Sequence, residues 1–412
     1  MNKFLSLRET ANLFGKSKNT LRRWDKKGIL NAVREPVSNY RIYRKDDVQK
    51  LLGSLLDENF DDNVSNMVFP AGKYKVLELF AGAGGLALGL EKAGLHCVAL
   101  NEIDPYACKT LHTNRPNWQI LQGDVKKHSF KGYQGEVDVV TGGFPCQAFS
   151  YAGKKLGLDD ARGTLFYEFA RVVQEIKPAL CIGENVRGLL SHQKGKTLKG
   201  MISILNEIGY RIVPVEILKA IHFRVPQKRE RLILAGIRKD IMIDFKYPKA
   251  HKKIYHLKDA LKRGSLFDCE VPKSKGAIYP EHKKKILDRV PPKGYWRDLP
   301  VEVQREYMGG SFYLGGGKTG MARRIGWDEP SLTLTCSPAQ KQTERCHPDE
   351  TRPFTVREYA RIQTFPDDWE FAGSMAQQYK QIGNAVPVNL GQELGYSIVR
   401  FLNDYYRLLK PK

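Results

Sequence analysis

Cys146 stands in the stretch Phe144-Pro145-Cys146-Gln147-Ala148-Phe149-Ser150. It follows the apolar run Val137-Asp138-Val139-Val140 and the residues Thr141-Gly142-Gly143. That order reads as a buried strand ending in a tight loop. In open α/β sheets, ligands and reacting groups collect at the carboxyl ends of strands. A thiolate on such a loop is a strong, reachable nucleophile, although a free cysteine more commonly ends as a small buried thiol. Glu184, in Cys181-Ile182-Gly183-Glu184-Asn185-Val186, ends a second apolar run and is placed for proton donation at the same mouth. The ordinary alternative is a carboxylate capping the next helix. Arg229 and Arg231, in Gln227-Lys228-Arg229-Glu230-Arg231, precede the strand Leu232 to Ile237. They could hold a carbonyl or a phosphate in a fork, or simply pair on a surface turn.

The element that positions a small ligand lies upstream. Tyr74 to Phe80 reads as a first strand, Ala81-Gly82-Ala83-Gly84-Gly85 as a turn, and Leu86 to Ala93 as a helix. Glycines there let the backbone approach a ligand and leave the helix amino end free. Glu102 ends a second strand, Val98 to Asn101, about twenty residues past Gly82, where a carboxylate meets ribose hydroxyls in nucleoside-binding folds. Asp124 ends a third and could accept from an adenine amino group. No phosphate-loop signature is present, which argues against a triphosphate and leaves a dinucleotide compatible with the spacing.

The chain of 412 residues carries 67 Lys and Arg against 45 Asp and Glu, a formal charge of +22. Such an excess favours a polyanionic partner. It is concentrated at the amino end, with 13 basic and 5 acidic residues in positions 1–50, and in positions 246–345, with 21 and 11. The seven cysteines form no Cys-x-x-Cys pair, so neither a disulfide framework nor a zinc or other metal site is expected. No apolar run is long enough for a membrane span, and the first residues lack an apolar signal core, so the expected location is the cytoplasm.

At the amino end, Leu5 to Phe14 reads as a helix with Ser6 and Glu9 in capping-box spacing, and Lys18 to Lys27 as a second, cationic helix ended by Gly28. A hairpin from Arg34 to Tyr43 and a closing helix from Asp46 follow. Two short helices with a Gly turn outline a helix-turn-helix, and Arg22, Arg23, Lys26 and Arg41 are its candidate DNA contacts. The segment resembles winged-helix modules of the MerR and excisionase type. The alternative is a small appendage that only packs on the main body.

Five strings occur in order: Phe80 to Gly85, Phe144 to Gln147, Glu184-Asn185-Val186, Gln227 to Arg231, and Gly383-Asn384-Ala385-Val386-Pro387. Together they resemble the ordered motifs of the DNA (cytosine-5)-methyltransferases, from about Tyr74 to the carboxyl end. The resemblance implies S-adenosyl-L-methionine as cofactor, with Phe80 stacked on adenine, Glu102 on ribose and Asp124 on the adenine amino group. It also implies that Ala81, Gly82, Gly85, Ile103, Val125, Pro145, Leu165, Asn384 and Val386 line that pocket. Cys146 would add to carbon 6 of cytosine, Glu184 would protonate ring nitrogen 3, and Arg229 and Arg231 would sit beside them. Gln147 and Ser150 would face double-stranded DNA, on a glycine-punctuated lid running to Arg162 that closes over a flipped base.

The expected fold is α/β: a Rossmann-like methyltransferase body, a smaller irregular target-recognition domain and a winged helix-turn-helix. The expected boundaries are 1–56 for the module, 57–72 for a linker, 73–245 and 375–412 for a catalytic domain made of two segments, and 246–374 for target recognition. Tyr295, Trp296, Tyr307, Phe312, Tyr313 and Trp327 lie in the last region, with a small local core as the fate of most. The last motif is expected to lead a helix. The implied function is sequence-specific DNA methylation in a restriction-modification system, by a monomer paired in function with an endonuclease. The alternatives are a transfer-RNA cytosine methyltransferase and an inactive DNA-binding regulator.

Overall fold

The computed structural model describes residues 4–14, 18–35, 38–48, 51, 66–145, 164–315 and 320–409. Cys146, Gln147, Ser150 and the expected lid lie outside them.

The amino-terminal module forms as its sequence suggests, with one addition. Strand β1 (Phe4–Ser6) precedes helix α1 (Leu7–Phe14), and α2 spans Lys18–Lys26. The Ser6 and Glu9 side chains cap each other's backbone N–H groups at 3.2 and 2.7 Å. Strand β3 (Arg41–Arg44) pairs antiparallel with both β1 and β2 (Val33–Arg34). Leu5 and Ser6 therefore belong to the wing sheet, not to the helix. Ala11, Leu21, Leu30, Tyr43 and Val48 make the core, and Met67 and Phe69 pack on it. The expected linker is thus no free tether over its described part. Asn66 exchanges two hydrogen bonds with the Lys249 backbone at 2.7 and 2.9 Å, and Asn403 binds the backbone of Phe69 and Ala71 at 2.8 Å each.

The body is built on a mixed sheet of the strands β4 (Lys75–Leu79), β5 (His96–Glu102), β6 (Gln119–Gln122), β7 (Val139–Gly142), β8 (Leu180–Val186), β9 (Tyr210–Ile212), β10 (Glu216–Lys219) and β12 (Glu230–Arg238). The short strands β11 (Gln227–Lys228) and β13 (Ser331–Leu332) pair separately. The order across the sheet is β10-β12-β8-β7-β4-β5-β6, with β9 also on β12. Strands β8, β7, β4, β5 and β6 are parallel, whereas β12 runs antiparallel to β8. Burial on both faces explains the nearly continuous apolar runs of the central strands.

Helices α3 (Gly85–Lys92), α4 (Pro105–Asn114) and α5 (Leu165–Ile176) connect the parallel strands, and α6 (Lys196–Glu207) leads from β8 to β9. Leu77, Leu79, Val140, Leu232 and Leu234 pack with α5 and α6 on one face. Val76, Leu100, Val139, Ile182 and Ile233 face the other way, toward α3 and toward helices from distant sequence. Those are α7 (Leu257–Leu261), α10 (Val356–Ile362), α11 (Met375–Asn384) and α12 (Val388–Leu409); α8 (Glu281–Leu287) and α9 (Val301–Met308) lie in a separate cluster of residues 279–346. Trp296 and Tyr307 are buried in that cluster, whereas Tyr313 is exposed. The flanks of the irregular region, such as Leu257 and Phe354, belong to the sheet's own core.

The last motif closes one helix and opens another. Gly383 and Asn384 end α11, and Val388 starts α12. The return of α12 to α3 depends on missing side chains. A Cβ on Gly89 would lie 2.5 Å from the Val388 carbonyl oxygen, and one on Gly395 would lie 2.6 Å from Ala93 Cβ. Gly89→Val should therefore cost about 1–3 kcal/mol of stability in urea denaturation, through overpacking. Gly132→Ala, where nothing lies within 4 Å, should leave the midpoint unchanged.

Candidate functional site

Side chains alternate between faces along a strand. Glu78 therefore shares a face with Val76, Thr141 with Val139, Glu184 with Ile182, and Arg231 with Ile233, all on the α3 and α12 side. Strand register sets Glu78 beside Thr141 and beside Leu100, two residues before Glu102. One polar row thus crosses the carboxyl end of the sheet, from Arg231 through Glu184, Thr141 and Glu78 to Glu102.

Arg231 Nε is ion-paired with Glu184 Oε1, with side chains only 10% and 11% exposed. Arg231 lies opposite Val186 and Glu184 opposite Ile233, so the two meet diagonally across the antiparallel pair. Gly143 makes room for the carboxylate, since a Cβ there would lie 3.0 Å from Glu184 Oε2. Asn185, on the opposite face, donates to the Phe144 carbonyl at 2.8 Å and holds the chain just before exposed Pro145.

Arg229 is buried and works differently from Arg231. Its guanidinium donates to the carbonyls of Leu334 at 3.3 Å, Gly383 at 3.0 Å and Asn384 at 3.4 Å. Burial and neighbouring Arg231 push its pKa down to about 9, which still leaves a cation at neutral pH. Cys336 touches the same junction, its Sγ 3.0 Å from Asn384 Oδ1.

At the other end of the row, Glu102 Oε2 accepts from Gly82 N–H at 2.7 Å, and Oε1 from Ile103 and Asp104 N–H at 2.8 Å each. These bonds fasten the glycine turn to β5. Phe80 and Gly82 adopt left-handed φ angles of 57° and 54°, and Gly84 precedes α3 as its N-cap without a side-chain cap. Val386 closes the turn from the far segment, since a Cβ on Gly85 would meet its carbonyl oxygen at 2.2 Å. Ala81 and Val125 are buried, while Ile103 stands 65% exposed beside Glu102. Asp124 caps the short helix that begins at Val125, accepting from Lys126 N–H at 3.0 Å, rather than ending the strand. Leu165 opens α5 and is partly buried against the same core as Phe80.

On the module, Arg22, Arg23 and Lys26 are exposed along α2, and Arg22 contacts Asn19. Arg41 instead spends its guanidinium on Asp25, at 2.7 Å.

Glu78 was passed over because it reads as one residue of a strand. The signal was a charge inside the apolar run Val76-Leu77-Glu78-Leu79. It is 3% exposed, and its Oε2 has no hydrogen-bond partner, nor has the Oγ1 of Thr141 beside it. Burial, with the like charges of Glu184 and Glu102, holds its carboxyl well above the usual range.

The sheet order, the glycine turn and the mouth at the strand ends define an α/β methyltransferase fold. Solved structures agree: a putative DNA modification methyltransferase encoded within a prophage (E. coli) matches with TM-score 0.57 and 23% identity, over 80% of this chain and all of that one. The Entamoeba histolytica methyltransferase EhMeth matches with TM-score 0.54 and 17% identity, over 82% of this chain and all of that one. Residues 74–400 match the family of C-5 cytosine-specific DNA methylases, and residues 5–54 the MerR HTH family of regulatory proteins. The Type II methyltransferase M.Eco47II of Escherichia coli is 58% identical, over 97% of this chain and 96% of its own. M.Sau96I of Staphylococcus aureus is 51% identical, over 85% and 80%. The chain belongs to the C-5 cytosine-specific DNA methylase family. It is a DNA methyltransferase of the Type II restriction-modification class, with a MerR-like helix-turn-helix at its amino end.

Glu78 gives this fold a pH dependence. The native protein keeps a proton that the unfolded chain releases above about pH 4.3. The contribution is therefore full below that pH and is lost as pH rises toward the raised native value, by at most about 1.4 kcal/mol per unit. Glu78→Gln does not titrate, so its melting temperature relative to the parent should climb from pH 5 to pH 8. Parallel curves would assign the carboxyl another state.

Proposed function

We propose that this enzyme methylates carbon 5 of a flipped-out cytosine in double-stranded DNA through a covalent adduct to Cys146, with S-adenosyl-L-methionine as methyl donor. The carrying observation is the Glu184–Arg231 pair at the carboxyl mouth, on the strand neighbouring the one that leads into Pro145 and Cys146.

Elimination supports the cysteine. Burial pushes the thiols of Cys108 and Cys181 up to about 12, that of Cys346 up to about 11, and that of Cys97 well above its ordinary value. Cys269 and Cys336 are also raised. Each is a poor nucleophile at neutral pH. Only Cys146 remains of the seven.

The groups at the glycine turn fit the cofactor. An orphaned buried carboxylate oxygen on Glu78 and the uncapped amino end of α3 lie beside the turn. Glu102, at the end of β5, and Asp124, just past β6 at the head of a short helix, suit hydroxyl and amino donors, and Phe80 and exposed Ile103 suit an aromatic base. Ala81, Gly82, Gly85, Val125, Pro145, Leu165, Asn384 and Val386 complete the lining. When bound, the cofactor supplies an electrophilic methyl group.

The chain's own groups then share the work. The Cys146 thiolate adds to carbon 6 of cytosine, which turns carbon 5 into an enamine-type nucleophile. Glu184, held in orientation by Arg231, takes up a proton from solvent as the base seats and passes it to ring nitrogen 3 as charge builds there. After methylation, water takes the carbon-5 proton, the thiolate is expelled from carbon 6, and ring nitrogen 3 returns its proton to Glu184, which restores the ring. Arg229 serves as a positioning residue, tying β12 to the carboxyl-terminal segment. Gln147 and Ser150 would meet the DNA around the vacated position. Two domain roles extend this reading: target recognition by residues 246–374, and added DNA contact by Arg22, Arg23 and Lys26. The enzyme would act in the cytoplasm as a monomer, protecting host DNA against an endonuclease that it need not touch.

Labelled S-adenosylmethionine incubated with unmethylated genomic DNA, and in parallel with transfer RNA, tests the reading. Label should enter DNA as 5-methylcytosine in one short context, and label confined to RNA would overturn it. Cys146→Ala should lose transfer by at least about a thousandfold yet still retard target DNA in a gel; turnover near the parent rate would rule out the adduct. Removing residues 1–51 should leave the methylated context unchanged. A changed context would move recognition into the module.

A further inference from the structure

Three carboxylates share the mouth, and each meets a different environment. Glu102 receives three backbone N–H groups, and Glu184 receives Arg231. Glu78 lies one tier lower, between them on the same face, with Oε2 orphaned and an equally orphaned Thr141 hydroxyl in register. The charged groups around it are Glu102 from β5 and Glu184 from β8, with Arg231 on β12 behind the latter. The Cys97 thiol on β5 also feels its charge. Among the covering helices, α3 carries its charges, Glu91 and Lys92, at its far end, with Glu91 engaged by Arg115. Glu393 of α12 is engaged by His251 and Arg224. No cation in the described structure is paired with Glu78.

We propose that Glu78 is a proton-linked element of the cofactor site, neutral while the mouth is empty and ionised when a cationic ligand seats above the glycine turn. The inference rests on the reading that this site takes S-adenosylmethionine. That ligand carries a fixed sulfonium charge, which S-adenosylhomocysteine, its demethylated product, lacks. A buried carboxyl with no cation nearby keeps its proton, because the isolated anion is costly in low dielectric. A cation brought within a few ångströms removes that cost, and the proton leaves to solvent. Binding of the methyl donor thereby becomes tighter as pH rises, by up to about tenfold per unit for one proton released. The product gains less, so the same carboxyl favours exchange of product for donor. Glu78 acts here by charge, as a positioning residue beneath the site.

Calorimetric titration in buffers of different ionisation enthalpy counts the protons. With the full-length enzyme, S-adenosylmethionine should release a net fraction of a proton, up to about one, and S-adenosylhomocysteine distinctly less. Glu78→Gln should bind the donor with no release and with an affinity flat in pH. Its unfolding transition, measured alongside, confirms that it is folded. Glu184→Gln should retain the release, which separates Glu78 from its neighbour. Equal release by both ligands, or release that survives Glu78→Gln, overturns the inference and leaves the methyl-donor reading standing. Absence of binding by either ligand to the parent protein overturns both.

Discussion

The reversal of one strand is the constraint on which this site depends. In a parallel sheet, every strand brings only its carboxyl end to the ligand mouth. Strand β12 runs the other way, so its first residues arrive there instead. That is why Arg231, at the start of its strand, meets Glu184, near the end of its own. A parallel β12 would carry the arginines to the opposite edge of the sheet and leave Glu184 without its partner. The hairpin edge formed by β9 and β10 on β12 holds the reversal, because both pair with it antiparallel.

The same reversed strand gathers the rest of the chain. The segment just before it places Arg229 where its guanidinium reaches carbonyls at Leu334, Gly383 and Asn384. One buried cation thus joins the body, the irregular region and the carboxyl-terminal return. The joint tolerates little adjustment. Both terminal nitrogens of the guanidinium are committed to carbonyls, and a buried polar group left without its partner costs about 1–3 kcal/mol. The glycine contacts between α3 and α12 close the fold from the other side, at distances that only hydrogen atoms fit.

Local signals made much of this legible in the sequence. The glycine turn, the acidic residues at Glu102 and Asp124, and the capping box at Ser6 are short-range patterns with short-range causes. Less legible was whatever depends on register or on distant partners. Glu78 looks like any strand residue until its neighbours are known to be Thr141 and Leu100. The sequence 66–72 looks like a linker because Asn66 and the backbone of Phe69 and Ala71 find their partners at Lys249 and Asn403, far along the chain. Gly383-Asn384 reads as the start of a helix, since Pro387 and Val388 do start one; only the packing shows that the glycine belongs to the helix before. A Cβ there would lie 2.4 Å from the Thr335 carbonyl oxygen, so close approach rather than helix initiation accounts for the glycine.

The row of charges also explains why the site is stable before any ligand arrives. Three carboxylates within a buried mouth would repel one another if all were ionised without compensation. Each is relieved by a different means, so none competes for the same partner. Backbone N–H groups suit Glu102 because the glycine turn must be held in a left-handed path in any case. A guanidinium suits Glu184 because it reaches across a diagonal that a lysine would span with a single bond. Glu78 sits where neither a loop nor an arginine can reach, on a strand covered by a glycine-packed helix, and the proton is the remaining means of neutralising it. The arrangement leaves one charge site in the mouth uncommitted, directly below the turn, and that site is set by the packing of α3 on α12 rather than by any residue that touches the reacting atoms.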